Sequence, residues 1–242
     1  MEFCEFRSIF GEALEKNGLD PLSPAKIENF WAFTLHLMRI NEHINLTAIR
    51  NIPDVITKHY VDSLLASTHI PQGARVLDLG CGPGFPTVPL AIARPDLKIC
   101  ALDSTDKKIR FLFDATNLLA LPNVEAISGR AEDPAIRKRL GEFDLVISRA
   151  VARMNILSEL CLPYVKQGGT FLAMKGAKGE EEEQEAARGI SILGGRISAS
   201  HKKELFLPDG TSELRVLTEV KKEKKTPPEY PRAYAAILKK PL

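Results

Sequence analysis

No apolar run in the chain approaches the roughly 18–20 residues that a bilayer crossing requires, so a membrane span is excluded as an expectation. The opening residues MEFCEFRS offer neither a basic start nor a hydrophobic signal core, and no secretory leader is expected. Cysteine is sparse: Cys4, Cys81, Cys100 and Cys161 form no CxxC pair and have no metal-ligand spacing. That scatter argues against a disulfide framework and a zinc module; it fits a reduced cytoplasm, and no metal is expected. Cys81 has no histidine near it in sequence, so a thiol nucleophile is not expected either. A net charge of +2 is too small for a protein that wraps naked duplex through phosphates alone. Internal repeats are absent, and the one low-complexity tract is the short KKEKK segment.

Against those absences stands one dense stretch, RVLDLGCGPGFPTVP from Arg75 to Pro89. Arg75–Leu79 is a run of the kind buried on both faces of a parallel sheet. Asp78 lies in it, and Gly80, Gly82 and Gly84 follow at every second position. A residue without Cβ bends tightly there or lets a ligand touch the backbone. After Pro86 the run TVPLAIA predicts a short helix that ends near Arg94-Pro95. Strand, glycine loop and helix N-terminus make the first βα unit of a nucleotide-binding α/β sheet. The loop lacks the Gly-Lys-Ser/Thr of a Walker loop, and Phe85 stands where a dinucleotide fingerprint has its third glycine. An NAD-dependent oxidoreductase on this topology is therefore disfavoured.

Four further strand tips carry polar groups. Lys98–Leu102 ends in Asp103, 23 positions after Gly80. A carboxylate there is placed to accept from both ribose hydroxyls of an adenosine, or else to open the helix over 107–119. Val124–Ile127 leads to Gly129-Arg130-Ala131-Glu132-Asp133, which puts Ala131 and Glu132 beside an adenine. Phe143–Ile147 leads to Ser148-Arg149-Ala150, and strand 170–174 to Lys175. Ligands of open α/β sheets bind outside the carboxyl ends of the strands.

The loop Asp-x-Gly-x-Gly-x-Gly resembles the S-adenosylmethionine (SAM) loop of class I methyltransferases. Taken with Asn45-Leu46-Thr47-Ala48, His59, Asp62-Ser63-Leu64, GxGFPxxPLAI, LDSxxKKIRFL, SRA, LAMKG and PPEYPR, the chain resembles the bacterial small-subunit rRNA guanine-N7 methyltransferase G family from about Asn45 to Leu242. Thr87 departs from it, standing where the family usually has glycine, and the closing AYAAILKKPL replaces a glycine-proline tail. The resemblance implies a Rossmann-like sheet of seven strands, the last antiparallel, and SAM as cofactor. It implies methyl transfer to guanine N7 of 16S rRNA, free or in the small ribosomal subunit. The cofactor residues it implies are Gly80, Phe85, Asp103-Ser104-Thr105, Ala131-Glu132 and Arg149, to which the loop reading adds Asp78, Gly82 and Gly84. Arg149 and Lys175 are the candidates for the RNA, and no catalytic side chain is assigned. Methylation of another RNA, a protein or a small molecule stays open, as does a noncatalytic RNA-binding module.

The remaining chain is read as service to this core. Residues 1–65 predict an N-terminal helical extension of three helices, which cap the sheet or frame a substrate cleft; residues 66–242 predict the SAM-binding domain. His59 is expected as a hydrogen-bonded structural residue rather than a proton shuttle. The turn Pro208-Asp209-Gly210 predicts a closing hairpin. Basic residues cluster at Lys107-Lys108-Arg110, Arg137-Lys138-Arg139, Lys202-Lys203, and Lys221-Lys222 with Lys224-Lys225, and are offered as RNA contacts. A monomer is expected. Because N7 carries a free lone pair at neutral pH, no general base is expected.

Overall fold

The aliphatic runs pair into one sheet in the computed structural model, which describes residues 1–242. Five strands run parallel: β1 (Arg75–Leu79), β2 (Lys98–Asp103), β3 (Val124–Ser128), β4 (Phe143–Arg149) and β5 (Val165–Lys175). A hairpin of β6 (Gly195–Phe206) and β7 (Ser212–Lys222) completes it, with β7 inserted antiparallel between β5 and β6. The order is β3-β2-β1-β4-β5-β7-β6. Strand succession reverses between β1 and β4, the switch point where open α/β sheets leave a crevice at their carboxyl ends.

Side chains alternate across the sheet as strand geometry requires. Val76, Ile99, Leu145 and Leu172 face one core, and Leu77, Cys100, Val146 and Phe171 face the other. The first core is the larger because the N-terminal helices join it: α1 (Phe3–Lys16), α2 (Pro24–Ile44) and α3 (residues 52–64). Phe6, Phe10, Phe30, Phe33 and Tyr60 interlock there with ring centroids 4.8–6.1 Å apart. Between the strands run α4 (Thr87–Ala93), α5 (Asp106–Leu118), α6 (Pro134–Leu140), α7 (Met154–Cys161) and α8 (Gly179–Ile192), and α9 (Tyr234–Lys239) ends the chain. No helix is long and apolar enough to cross a membrane.

Two details differ from the expectations. The middle of α3, Val55–Val61, is wound as a π-helix, whose hydrogen bonds span five residues where an α-helix spans four. Strand β4 runs on through Ser148 and Arg149, so both lie within the ladder instead of in a loop beyond it. Helix α8, with glutamates through its first turns, buries Ala186 and Ile190 as one stripe in the second core.

Candidate active site

The glycine loop is drawn towards the second strand by hydrogen bonds. Asp103 Oδ2 accepts from the Gly82 N–H at 2.9 Å, and Oδ1 accepts from the Thr105 N–H at 2.8 Å. Each carboxylate oxygen thereby keeps acceptor capacity for a further donor. Gly82 sits at φ +57°, and a Cβ there would meet no protein atom within 4 Å. It would instead stand in open space beside the cleft. Gly80, at φ +78°, is held close to Val151, with which a Cβ would collide.

Around this loop opens a cleft of about 350 Å3, lined by Gly80, Gly82, Asp103, Ser104, Thr105, Ala131 and Glu132. Its volume falls in the range that takes a small-molecule cofactor. Seven of the residues expected from sequence therefore meet at one place. Lys108, Val151 and Tyr234 also line it and were not foreseen. Tyr234 comes from the divergent tail, with the Arg130 guanidinium 5.0 Å from its ring centroid, and only the tertiary fold brings α9 back to the strand tips.

Four expected cofactor residues do not line this cleft. Asp78 is buried beneath the loop, where Oδ2 accepts from both the N–H and the hydroxyl of Thr87 at 3.1 and 2.5 Å. Its Oδ1 has no partner, and burial raises its pKa to about 7. Thr87, the departure from the family pattern, thus secures the start of α4 to this carboxyl. Gly84, at φ +109°, packs against Val88 and Leu112. Phe85 turns into the first core and stacks on His59, ring centroids 4.1 Å apart and 13° from parallel. Arg149 points the other way, into a second cleft.

That second cleft, of about 520 Å3, is lined by Lys58, His59, Asp62, Arg149, Lys175 and Arg215. It shares the wall Ala150–Val151 with the first. Ala150 holds φ +55°, a left-handed conformation that costs a non-glycine residue about 1–2 kcal/mol. Asp62 is the hub of the cations: its Oδ2 pairs with Arg149 at 2.8 Å and its Oδ1 with Arg215 at 2.7 Å. Arg149 also donates to the Lys58 carbonyl at 2.9 Å, a group in the π-wound part of α3. Lys175, the other candidate for the RNA, lines the cleft but is itself buried, pairs with Glu182 at 2.9 Å and donates to the Ala152 carbonyl. Lys58, Asp62 and Arg215 carried no local signal of chemistry beyond the Asp62-Ser63-Leu64 motif.

His59 is the one histidine in the cleft. Partial burial, with Arg149 adding to it, lowers its pKa to about 3, so the ring is neutral at pH 7. Nδ1 accepts from Arg149 at 3.2 Å, which leaves the proton on Nε2, 2.8 Å from the Thr47 hydroxyl. Its only basic lone pair is therefore engaged. The Cys81 thiol is buried and its pKa raised by that burial, so it is no nucleophile.

A family model described as rRNA small subunit methyltransferase G matches residues 26–207. Proteins named ribosomal RNA small subunit methyltransferase G are similar over almost the full length. The one from Lachnoclostridium phytofermentans is 44% identical, covering 97% of each chain, and that from Moorella thermoacetica is 43% identical, covering 91% of this chain and 92% of its own. Among solved structures, the fold is similar to an O-methyltransferase from Bacillus cereus in complex with SAH. The TM-score is 0.57 at 17% identity, over 91% of this chain and all of that one. It is also similar to M. jannaschii TYW2 in complex with AdoMet, with TM-score 0.53 and 17% identity over 67% of this chain and 76% of that one.

Proposed function

The chain belongs to the rRNA small subunit methyltransferase G family, and from that premise we propose that it transfers a methyl group from S-adenosylmethionine to N7 of a guanine in 16S rRNA. The observation that carries this reading is the pair of clefts separated by one wall. One presents glycine backbone and a carboxylate with spare acceptor capacity; the other is cationic.

The residues of the first cleft fit the cofactor. Asp103 accepts from the ribose hydroxyls, Ala131 and Glu132 bound the adenine, and Gly82 leaves space that a side chain would fill. When bound, S-adenosylmethionine supplies an electrophilic methyl on a sulfonium, and orientation is left to the protein. Holding two reacting groups in line can supply about 7–11 kcal/mol at its upper range.

The second cleft supports the identity of the acceptor atom. Hydroxyl or exocyclic amine acceptors shed a proton, which asks for a base within reach. His59 is neutral with Nδ1 engaged, and Asp62 is paired to two arginines. A nitrogen with a free lone pair needs neither. Arg149, Arg215 and Lys58 supply charge for the RNA backbone, whose contacts position the nucleotide. Asp62 and Glu182 temper that charge where the methylated base becomes cationic.

Label transfer tests the proposal. With labelled S-adenosylmethionine and bare 16S rRNA, intact small subunits or total protein as acceptors, label is expected at guanine N7 of the rRNA alone. Label on a different atom or on protein overturns the assignment. Single-turnover rates should be flat between about pH 6 and 8, where an ordinary histidine base titrates. A rise in that window that disappears in His59→Ala would show that a base takes part.

A further inference from the structure

On the outer strands of the sheet, outside the linings of both clefts, three side chains from distant parts of the sequence converge. Glu219 projects from β7 and His201 from β6. Ala199 pairs with Glu219 in the ladder, so His201, two residues on, shares its face. His69 reaches the same point from the 3-10 turn Ser67–His69 that precedes β1. His69 Nδ1 lies 2.9 Å and His201 Nε2 3.2 Å from the same carboxylate oxygen, Glu219 Oε1. The two imidazole rings stand 4.5 Å apart, centroid to centroid. All three possible donor atoms fall within 4.8 Å of one another.

We propose that His69, His201 and Glu219 form a binding site for a divalent cation of the zinc class, unrelated to methyl transfer. The donor set decides the class. Two imidazole nitrogens and one carboxylate oxygen suit Zn2+, Co2+ or Ni2+, whereas Mg2+ and Ca2+ want oxygen throughout. The spacing agrees. Zinc holds such ligands at about 2.0–2.1 Å in a tetrahedron, which sets neighbouring donor atoms about 3.3 Å apart. The two measured separations lie within about 0.4 Å of that edge. A metal ion would take the place of the protons on the nitrogens that face Glu219 and draw the two imidazole nitrogens, which lie within 4.8 Å of each other, towards that edge. All three residues are partly exposed, which gives the ion an entry path and leaves a fourth position for water. Cysteine spacing predicted no metal, and these three ligands lie 132 and 18 residues apart along the chain, without a local motif.

Occupancy would tie the outer hairpin to the segment that joins the N-terminal helices to the sheet. The experiment uses the full, untagged chain treated with chelator, in a Cys4→Ser background that removes the one exposed thiol. Calorimetric titration with Zn2+ is expected to give one equivalent, and Co2+ to give the visible bands of a four-coordinate ion. Saturating Zn2+ should raise the melting temperature by about 5 °C, and Mg2+ should leave it unchanged. In Glu219→Gln and in His201→Ala, the equivalent, the bands and the thermal gain should all disappear, while S-adenosylmethionine affinity and circular dichroism stay as in the parent. Absence of a bound equivalent in the parent overturns the proposal. So does an equivalent that survives in both variants, which would place the ion elsewhere.

Discussion

In the proposed site Asp103 joins two tasks in one carboxylate, since the oxygens assigned there to the ribose also hold Gly82 and Thr105. Asp103→Ala should weaken S-adenosylmethionine binding at least tenfold by calorimetry, each lost charge-assisted bond being worth about 1.5–3 kcal/mol at most. An unchanged affinity would remove Asp103 from the ribose. Asp78 behaves differently. Its folded pKa of about 7, raised by burial, lies above the ordinary aspartate value of 3.8. Between those values the folded chain keeps a proton that the unfolded chain has lost, so this group's contribution is full below about pH 4 and is lost as pH rises through about 7. Asp78→Asn imitates the protonated form. Its melting temperature relative to the parent should therefore climb as pH goes from 5 to 8, by about 2–4 °C for each kcal/mol involved. A difference that stays constant with pH would show that Asp78 is charged throughout.

Helix α3 sets the second cleft, and its π-wound segment carries the groups that matter there, Lys58 and His59, with Asp62 just after it. Asp62 links this helix to β4 through Arg149 and to β7 through Arg215, with side chains only 7–18% exposed. Breaking a buried pair by removing one partner costs about 3–5 kcal/mol, and the partly wetted arginines here put the expected loss for Asp62→Asn near the lower figure. Denaturant unfolding measures it; a loss below about 0.5 kcal/mol would mean water already carries those charges. The first βα unit and the tips of β2 and β3 were legible in the sequence because doubly buried strands make continuous apolar runs and their tips follow directly. The aim of Phe85 and Arg149 was not. Phe85 is drawn off the loop by the aromatic core of α2 and α3, and Arg149 by a carboxylate 87 residues earlier. Neither attraction has a local signature. The widened turn of α3 is likewise hidden, because Ile52, Val55, Ile56, Tyr60 and Leu64 read equally well as one face of an ordinary helix.

Across the whole molecule the four basic clusters separate by the ends of the sheet. Lys107, Lys108 and Arg110 begin the helix that follows the tip of β2, and Lys202 pairs with Val216, which itself faces Lys175 at the carboxyl end of β5. Lys221 instead pairs with Thr170 towards the start of β5, and Arg137, Lys138 and Arg139 lie just before β4, so these stand at the end away from the clefts. Lys222 is not a surface charge at all: it is buried, donates to the Leu162 and Leu193 carbonyls, and has a pKa lowered by burial to about 8. Replacing Lys107 and Arg110 by alanine should flatten the salt dependence of RNA binding by roughly one unit of slope per lost phosphate contact, while Lys221, Lys224 and Lys225 substitutions leave it unchanged. The reverse pattern would turn the RNA to the other end. The wall Ala150–Val151 has a last consequence. One short strip of backbone touches both clefts, so any displacement that one occupant imposes on it is felt by the other. Linkage makes such influence mutual: whatever factor a bound nucleotide applies to cofactor affinity, the cofactor must return to the nucleotide. The affinities for methylated and unmethylated RNA would then differ according to whether spent or fresh cofactor lies across the wall.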